Sequence, residues 1–196
     1  MAVSQLGRLA GPAGIVAAVL AVAALGFFMI VVGSDPISTG AERPAFYAPT
    51  LSALGSIIAL LIALIALFAR QSEQLGTFSI VGFVSAVIGT ALGVGGTWTY
   101  VFVLPFLSQE APGVGDESSG SLLVGFVVSY LLMGVGWLLF AVATLKTGVF
   151  PRWAVILLMV GAVVATIPMP SRTLGLALGA ACMGYAAQDR TSEAPS

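Results

Sequence analysis

The sequence predicts an all-α membrane protein, a bundle of six transmembrane helices with the N-terminus and the C-terminus both inside. Three observations carry this. Of 196 residues, 59% are hydrophobic and only 8% are charged, against roughly 25% charged in a soluble domain. Mean hydropathy is +1.09. Apolar runs of spanning length recur along the chain, separated by short polar stretches rich in Gly and Pro. A soluble fold would lack the polar side chains to cover its surface, and disorder needs the opposite composition.

The elements follow in order. A spanning helix needs about 20 apolar residues, and 14–32 supplies the first, between Arg8 and Asp35. It exceeds the apolar core of a signal peptide, roughly 7–15 residues, and no small-x-small site follows, so it reads as an uncleaved signal-anchor. The second span is 51–69, closed by Arg70. From Thr77 to Leu107 the chain is apolar throughout. One helix of that length would reach about 46 Å, beyond a hydrocarbon core of about 30 Å. We therefore expect a span over 78–96 and a break at Gly95-Gly96, with Thr97 to Phe102 lying at the interface. The segment 108–120 is a polar surface loop with Glu110, Asp116 and Glu117. The fourth span is 122–145. Lys146 to Arg152 is a tight turn in which glycine ends one helix and proline starts the next. Spans at 153–167 and 173–187 complete one transmembrane domain over 1–187, and 188–196 is a polar tail. Five spans, with the last short segment packed as a hairpin or re-entrant piece, is the competing arrangement.

Orientation rests on the basic residues. With the N-terminus inside, Arg8, Arg70, Lys146, Arg152 and Arg190 lie inside, and Arg43 and Arg172 outside. That is five against two, which accounts for all seven. The expected location is the cell membrane, as a multi-pass protein.

Composition also narrows the chemistry. There is no histidine and one cysteine. Imidazole catalysis, His-based metal sites and an internal disulfide are excluded, and no metal or cofactor is expected. A net charge of −1 without a basic run argues against nucleic acid. Every Lys, Arg, Asp and Glu falls in a loop, a tail or a helix end. An ionisable group at mid-depth is the usual mark of a proton relay or voltage sensor, and none is placed there. No catalytic residue is assigned.

The polar residues inside spans admit two readings. Ser56, Thr90, Ser129 and Tyr130 fall at comparable depths and would line a small polar cavity. Alternatively, their hydroxyls bond within their own helix or to a neighbour. The small-xxx-small pairs Gly89/Gly93 and Gly175/Gly179 allow close helix packing, within the chain or against another subunit. Trp98 and Tyr100, with Phe102 and Phe106, sit at the expected outer boundary, as an interfacial belt or as the wall of an outward pocket. Trp137 and Trp153 read as the inner belt. Cys182 reads as a small apolar packer.

Two resemblances follow. Gly136-Trp137-Leu138-Leu139-Phe140, followed by Ala143 to Ala154 with its Lys-Thr-Gly-Val-Phe-Pro-Arg-Trp turn, resembles a helix–turn–helix in uncharacterised small multi-pass membrane proteins of bacteria, actinobacteria especially. That resemblance implies no activity and no catalytic residue. Six helices with few charges and an Ala17-xxx-Ala21 face are similar in architecture to the substrate-binding S-components of energy-coupling-factor vitamin transporters. The function expected first is a non-catalytic membrane protein that works through a partner or self-association within the lipid bilayer. The alternative is a binding or transport component for a small neutral or lipidic solute, with its site in the outer half. An intramembrane enzyme ranks third.

Overall fold

A computed structural model describes residues 2–33, 37–74, 76–111, 120–167 and 172–192. Among these, all regular structure is helical. This is the expected outcome for an apolar chain, because a helix satisfies every interior N–H and C=O without water. The helices are α1 (Ala2–Gly7), α2 (Ala10–Val31), α3 (Ile37–Ala41), α4 (Tyr47–Arg70), α5 (Thr77–Phe102), α6 (Leu104–Glu110), α7 (Gly120–Thr147), α8 (Arg152–Ala165) and α9 (Arg172–Ser192). Four stretches are long and apolar enough to cross a membrane: Gln5–Val31, Pro44–Arg70, Thr77–Phe102 and Leu123–Thr147. Most of the expected 108–120 loop, and the last residues of the polar tail, lie outside the described residues.

The six long helices close into a ring. α2 packs on α4, α4 on α5, α5 on α7, α7 on α8, α8 on α9 and α9 back on α2, while α4 also touches α9. Ring neighbours run antiparallel, so one end gathers the start of α2 and the end of α9. There Gly11 lies against Gly184, and Arg70 donates to the Gly184 carbonyl at 3.0 Å. The other end, here the distal end, gathers α3, α6, the end of α8 and the start of α9.

Close packing is set by glycine. On α5, Gly82, Gly89 and Gly96 face Phe140, Met133 and Phe126 of α7. The step is seven residues on both helices, which keeps one face in register along the whole contact. From the other side, Gly136 of α7 faces the Ala86 backbone. Gly161 meets Gly175, and Gly179 meets Leu158, which joins α8 to α9. Gly14 meets Ala181, which joins α2 to α9. Without a hydrophobic force between helices in lipid, this backbone approach supplies dispersion contact.

Two expectations are corrected. The chain does not break at Gly95-Gly96: α5 runs through both to Phe102. Glycine lowers helix preference by only about 1 kcal/mol relative to alanine, and the surrounding turns keep their backbone bonds. The helix ends instead at Val103, before α6. Pro105 has no N–H for the Val101 carbonyl, and its ring crowds that carbonyl. Second, Trp137 is not part of an interfacial belt. It is 0% exposed, and its Nε1–H donates to Thr90 Oγ1 at 2.9 Å in the α5–α7 core. Trp153, 59% exposed, does face outward.

α8 is half as long as its neighbour α7. α8 has 14 residues, about 21 Å, whereas α7 has 28, about 42 Å. Thr166, just past the end of α8, meets Gly134, well inside α7. The end of α8 therefore lies below the distal end of α7. Above that shortfall, α3 packs on α6. Val32, Ala41, Phe46 and Leu104 form a second, small apolar cluster there, joined by Phe28, Ile37 and Tyr100.

Candidate functional site

A cavity of about 240 Å³ occupies the space between the start of α9 and this distal cluster. Each neighbouring helix contributes a defined part of the wall. The distal half of α2 gives Ala24 and Phe28, and the first turns of α4 give Pro49, Thr50, Ala53 and Ile57. The end of α5 gives Thr97 and Tyr100, and α7 gives Tyr130. Ile37 and Phe46 close it from the distal side, and Arg172 and Thr173 of α9 close it from the hairpin side. Among the described residues, no side chain fills the space between the end of α8, the start of α9 and this cluster.

The wall is mainly apolar, with polar groups in two roles. Thr50 and Thr97 are already bonded to carbonyls of their own turns, Phe46 at 2.8 Å and Gly93 at 2.9 Å. Tyr100 and Tyr130 are linked through Phe126, with ring centroids 5.6 and 6.0 Å apart, as one aromatic ladder from α5 to α7. The guanidinium of Arg172 lies over the Tyr130 ring, 4.0 Å from its centre, a cation–π distance. Among the described residues it has no hydrogen-bond partner, and its Nε is buried with no acceptor. Few polar groups converging in an apolar hollow is the usual form of a small-molecule site.

The residues singled out in the sequence divide. Tyr100 and Tyr130 line the cavity. Ser56 is buried between helices, donating to the Ala17 carbonyl at 2.8 Å and lying 3.5 Å from Thr173 Oγ1. Thr90 donates to the Ala86 carbonyl at 2.7 Å and accepts from Trp137. Ser129 donates to Gly125 of its own helix at 2.7 Å. These three hydroxyls do not meet in a shared hollow. Trp98 is 50% exposed and packs on Phe102, centroids 5.3 Å apart, and does not line this cavity. Of the packing glycines, Gly89, Gly175 and Gly179 each face backbone of another helix, while Gly93 meets only the Met133 sulfur at 3.4 Å.

Sequence reasoning did not single out Arg172. A signal was present: Arg172 is one of the two basic residues on the minority side of the charge asymmetry. A basic residue retained against that bias invites a local reason. What the sequence did not reveal was that its neighbour is Tyr130, distant in the chain. Compared with known proteins, the chain matches no protein-family model, no curated protein and no solved structure.

Proposed function

We propose that this chain is a multi-pass protein of the bacterial plasma membrane that binds a small solute in its distal cavity, as a binding or transport component. The observation that supports this is the cavity itself: a half-open, largely apolar hollow at one end of the bundle, edged by two tyrosines and an arginine. Among the described lining residues its polar groups are hydroxyls and a guanidinium, with no imidazole, thiol or carboxylate. We therefore read binding rather than catalysis. Association with a partner or a second copy has less behind it, because Gly89, Gly175 and Gly179 are engaged by helices of the same chain.

The accompanying topology is six crossings with both termini cytoplasmic. It is supported by the antiparallel ring and by Arg8, Arg70, Lys146 and Arg152 clustering at the end that holds the termini. The cavity then faces outward. Single cysteines at Glu42 and Glu110, in a Cys182→Ser background, should react with an impermeant thiol reagent on intact cells. Those at Ser72 and Gly76 should stay protected, and the reverse pattern would invert the topology.

The test of binding is a cavity-filling change. Ala53→Phe places a ring in the hollow from a wall position on α4. Protein purified in mild detergent from its native host should carry a small molecule, detected by native mass spectrometry, that Ala53→Phe lacks. Identical small-molecule content in the two proteins would reject the proposal.

A further inference from the structure

Among the described lining residues, Arg172 carries the one full charge, and the others are apolar or neutral. Tyr130, whose ring it covers, lies roughly 15 Å along α7 from its distal start. A guanidinium presents five N–H donors in a planar fork. Here none finds an acceptor among the described residues, and one is sealed from solvent. The Tyr130 ring steadies the cation but accepts none of its in-plane hydrogen bonds. A charged donor set preoriented by a ring and lining a hollow is arranged for an incoming acceptor. The planar fork fits a carboxylate or phosphate oxygen pair.

We infer that Arg172 receives the anionic head of the ligand, and that the ligand is a small amphiphile with one carboxylate or phosphate group on an apolar body. This rests on reading the cavity as a solute site. The remaining wall suits such a body, with Phe28, Ile57 and Ala24 opposite the Tyr100–Tyr130 ladder. The size follows from volume. A dry cavity of about 150 Å³ accepts benzene, so 240 Å³ holds one ring with a short carboxylated arm.

The probes are phenylacetate, its neutral counterpart phenylacetamide, and the cation 2-phenylethylamine. They are titrated onto the full chain in phosphatidylcholine nanodiscs and read by calorimetry and by melting temperature. Phenylacetate should bind about tenfold or more tightly than the amide, the scale of a charge-assisted hydrogen bond, and should raise the melting temperature. Arg172→Gln should bind acid and amide alike. Arg172→Lys should keep a reduced preference for the acid, since it retains the charge but not the fork. Equal binding of acid and amide to the unmodified protein would overturn the anion assignment and leave the solute cavity standing. So would preference for the amine. Because the three probes are compared on the unmodified protein, that outcome decides the matter even if Arg172→Gln fails to fold.

A lipid headgroup offers the same chemistry as a free acid, and phosphatidylglycerol nanodiscs separate the two. Stabilisation by phosphatidylglycerol without added probe, lost in Arg172→Gln, assigns the anion to a lipid. Its absence, with phenylacetate binding intact, assigns it to a free acid. If no probe binds and the two lipids behave alike, both the anion assignment and the solute cavity fall.

Discussion

Glycines at neighbouring positions of α5 should respond to the same substitution in opposite directions. A methyl group built on Gly89 falls inside the van der Waals envelope of the Met133 N and Cα atoms. One on Gly93 meets only the flexible Met133 sulfur at 3.4 Å, and one on Gly95 meets nothing within 4 Å. Carbon contacts are comfortable at about 3.5–4.0 Å, so Gly89→Ala forces α5 and α7 apart by roughly 1 Å or more. Backbone cannot yield as a side chain does. Overpacking of this kind costs about 1–3 kcal/mol, while the gain in helix preference from glycine to alanine is at most about 1 kcal/mol. Gly89→Ala should therefore be destabilised by about 1–2 kcal/mol, a fall in melting temperature of roughly 2–8 °C at this chain length. Gly93→Ala should be near neutral, and Gly95→Ala neutral to stabilised by up to about 1 kcal/mol. Thermal unfolding of the purified protein in one detergent, followed by tryptophan emission, measures all three. Gly89→Ala as stable as Gly95→Ala would refute the backbone-contact reasoning. Loss of stability in Gly95→Ala would refute a continuous α5.

Other changes test the polar core and the end of α5. Thr90→Val should leave the Trp137 Nε1–H buried without an acceptor, costing about 1–3 kcal/mol; denaturant titration should show a smaller added loss for Trp137→Phe in the Thr90→Val background than in the unmodified protein, since the unpaired donor is then removed. Ser56→Ala removes an interhelical bond to the Ala17 carbonyl, and such bonds in membranes average about 0.6 kcal/mol, so a melting shift beyond a few degrees would mean Ser56 does more than join two helices. Pro105→Ala restores an N–H opposite the Val101 carbonyl and should fuse α5 with α6, lengthening the distance between spin labels at Trp98 and Gln109; an unchanged distance would place the cause of the break elsewhere.

Much of the helical plan was legible in the sequence, because hydropathy alone decides it. Once a chain is 59% hydrophobic and 8% charged, lipid is the solvent in which it is stable, and helices satisfy its backbone there. The long apolar runs near the starts of α2, α4, α5 and α7 could be read from local composition. The end of α5 could not be placed as well, because two signals competed in one stretch. Gly95-Gly96 weakens a helix by preference, whereas Pro105 removes a bond outright, and the covalent constraint outweighs the preference.

The cavity was beyond local reading for a different reason. Hydroxyls such as Thr90, Ser56 and Ser129 look alike in sequence whether they line a hollow or bond to a carbonyl. Their partners, Trp137 for Thr90 and the Ala17 carbonyl for Ser56, come from other helices. The sequence by itself determined the solvent, the secondary structure and the scarcity of charge, all properties that each segment carries alone. Only the tertiary structure decided that a 14-residue helix stands beside one twice as long. Among the described residues, an unfilled space lies beneath α3 and α6, with Arg172 over Tyr130 at its edge. Differences in helix length leave voids only when helices are laid side by side, and that arrangement is a property of packing.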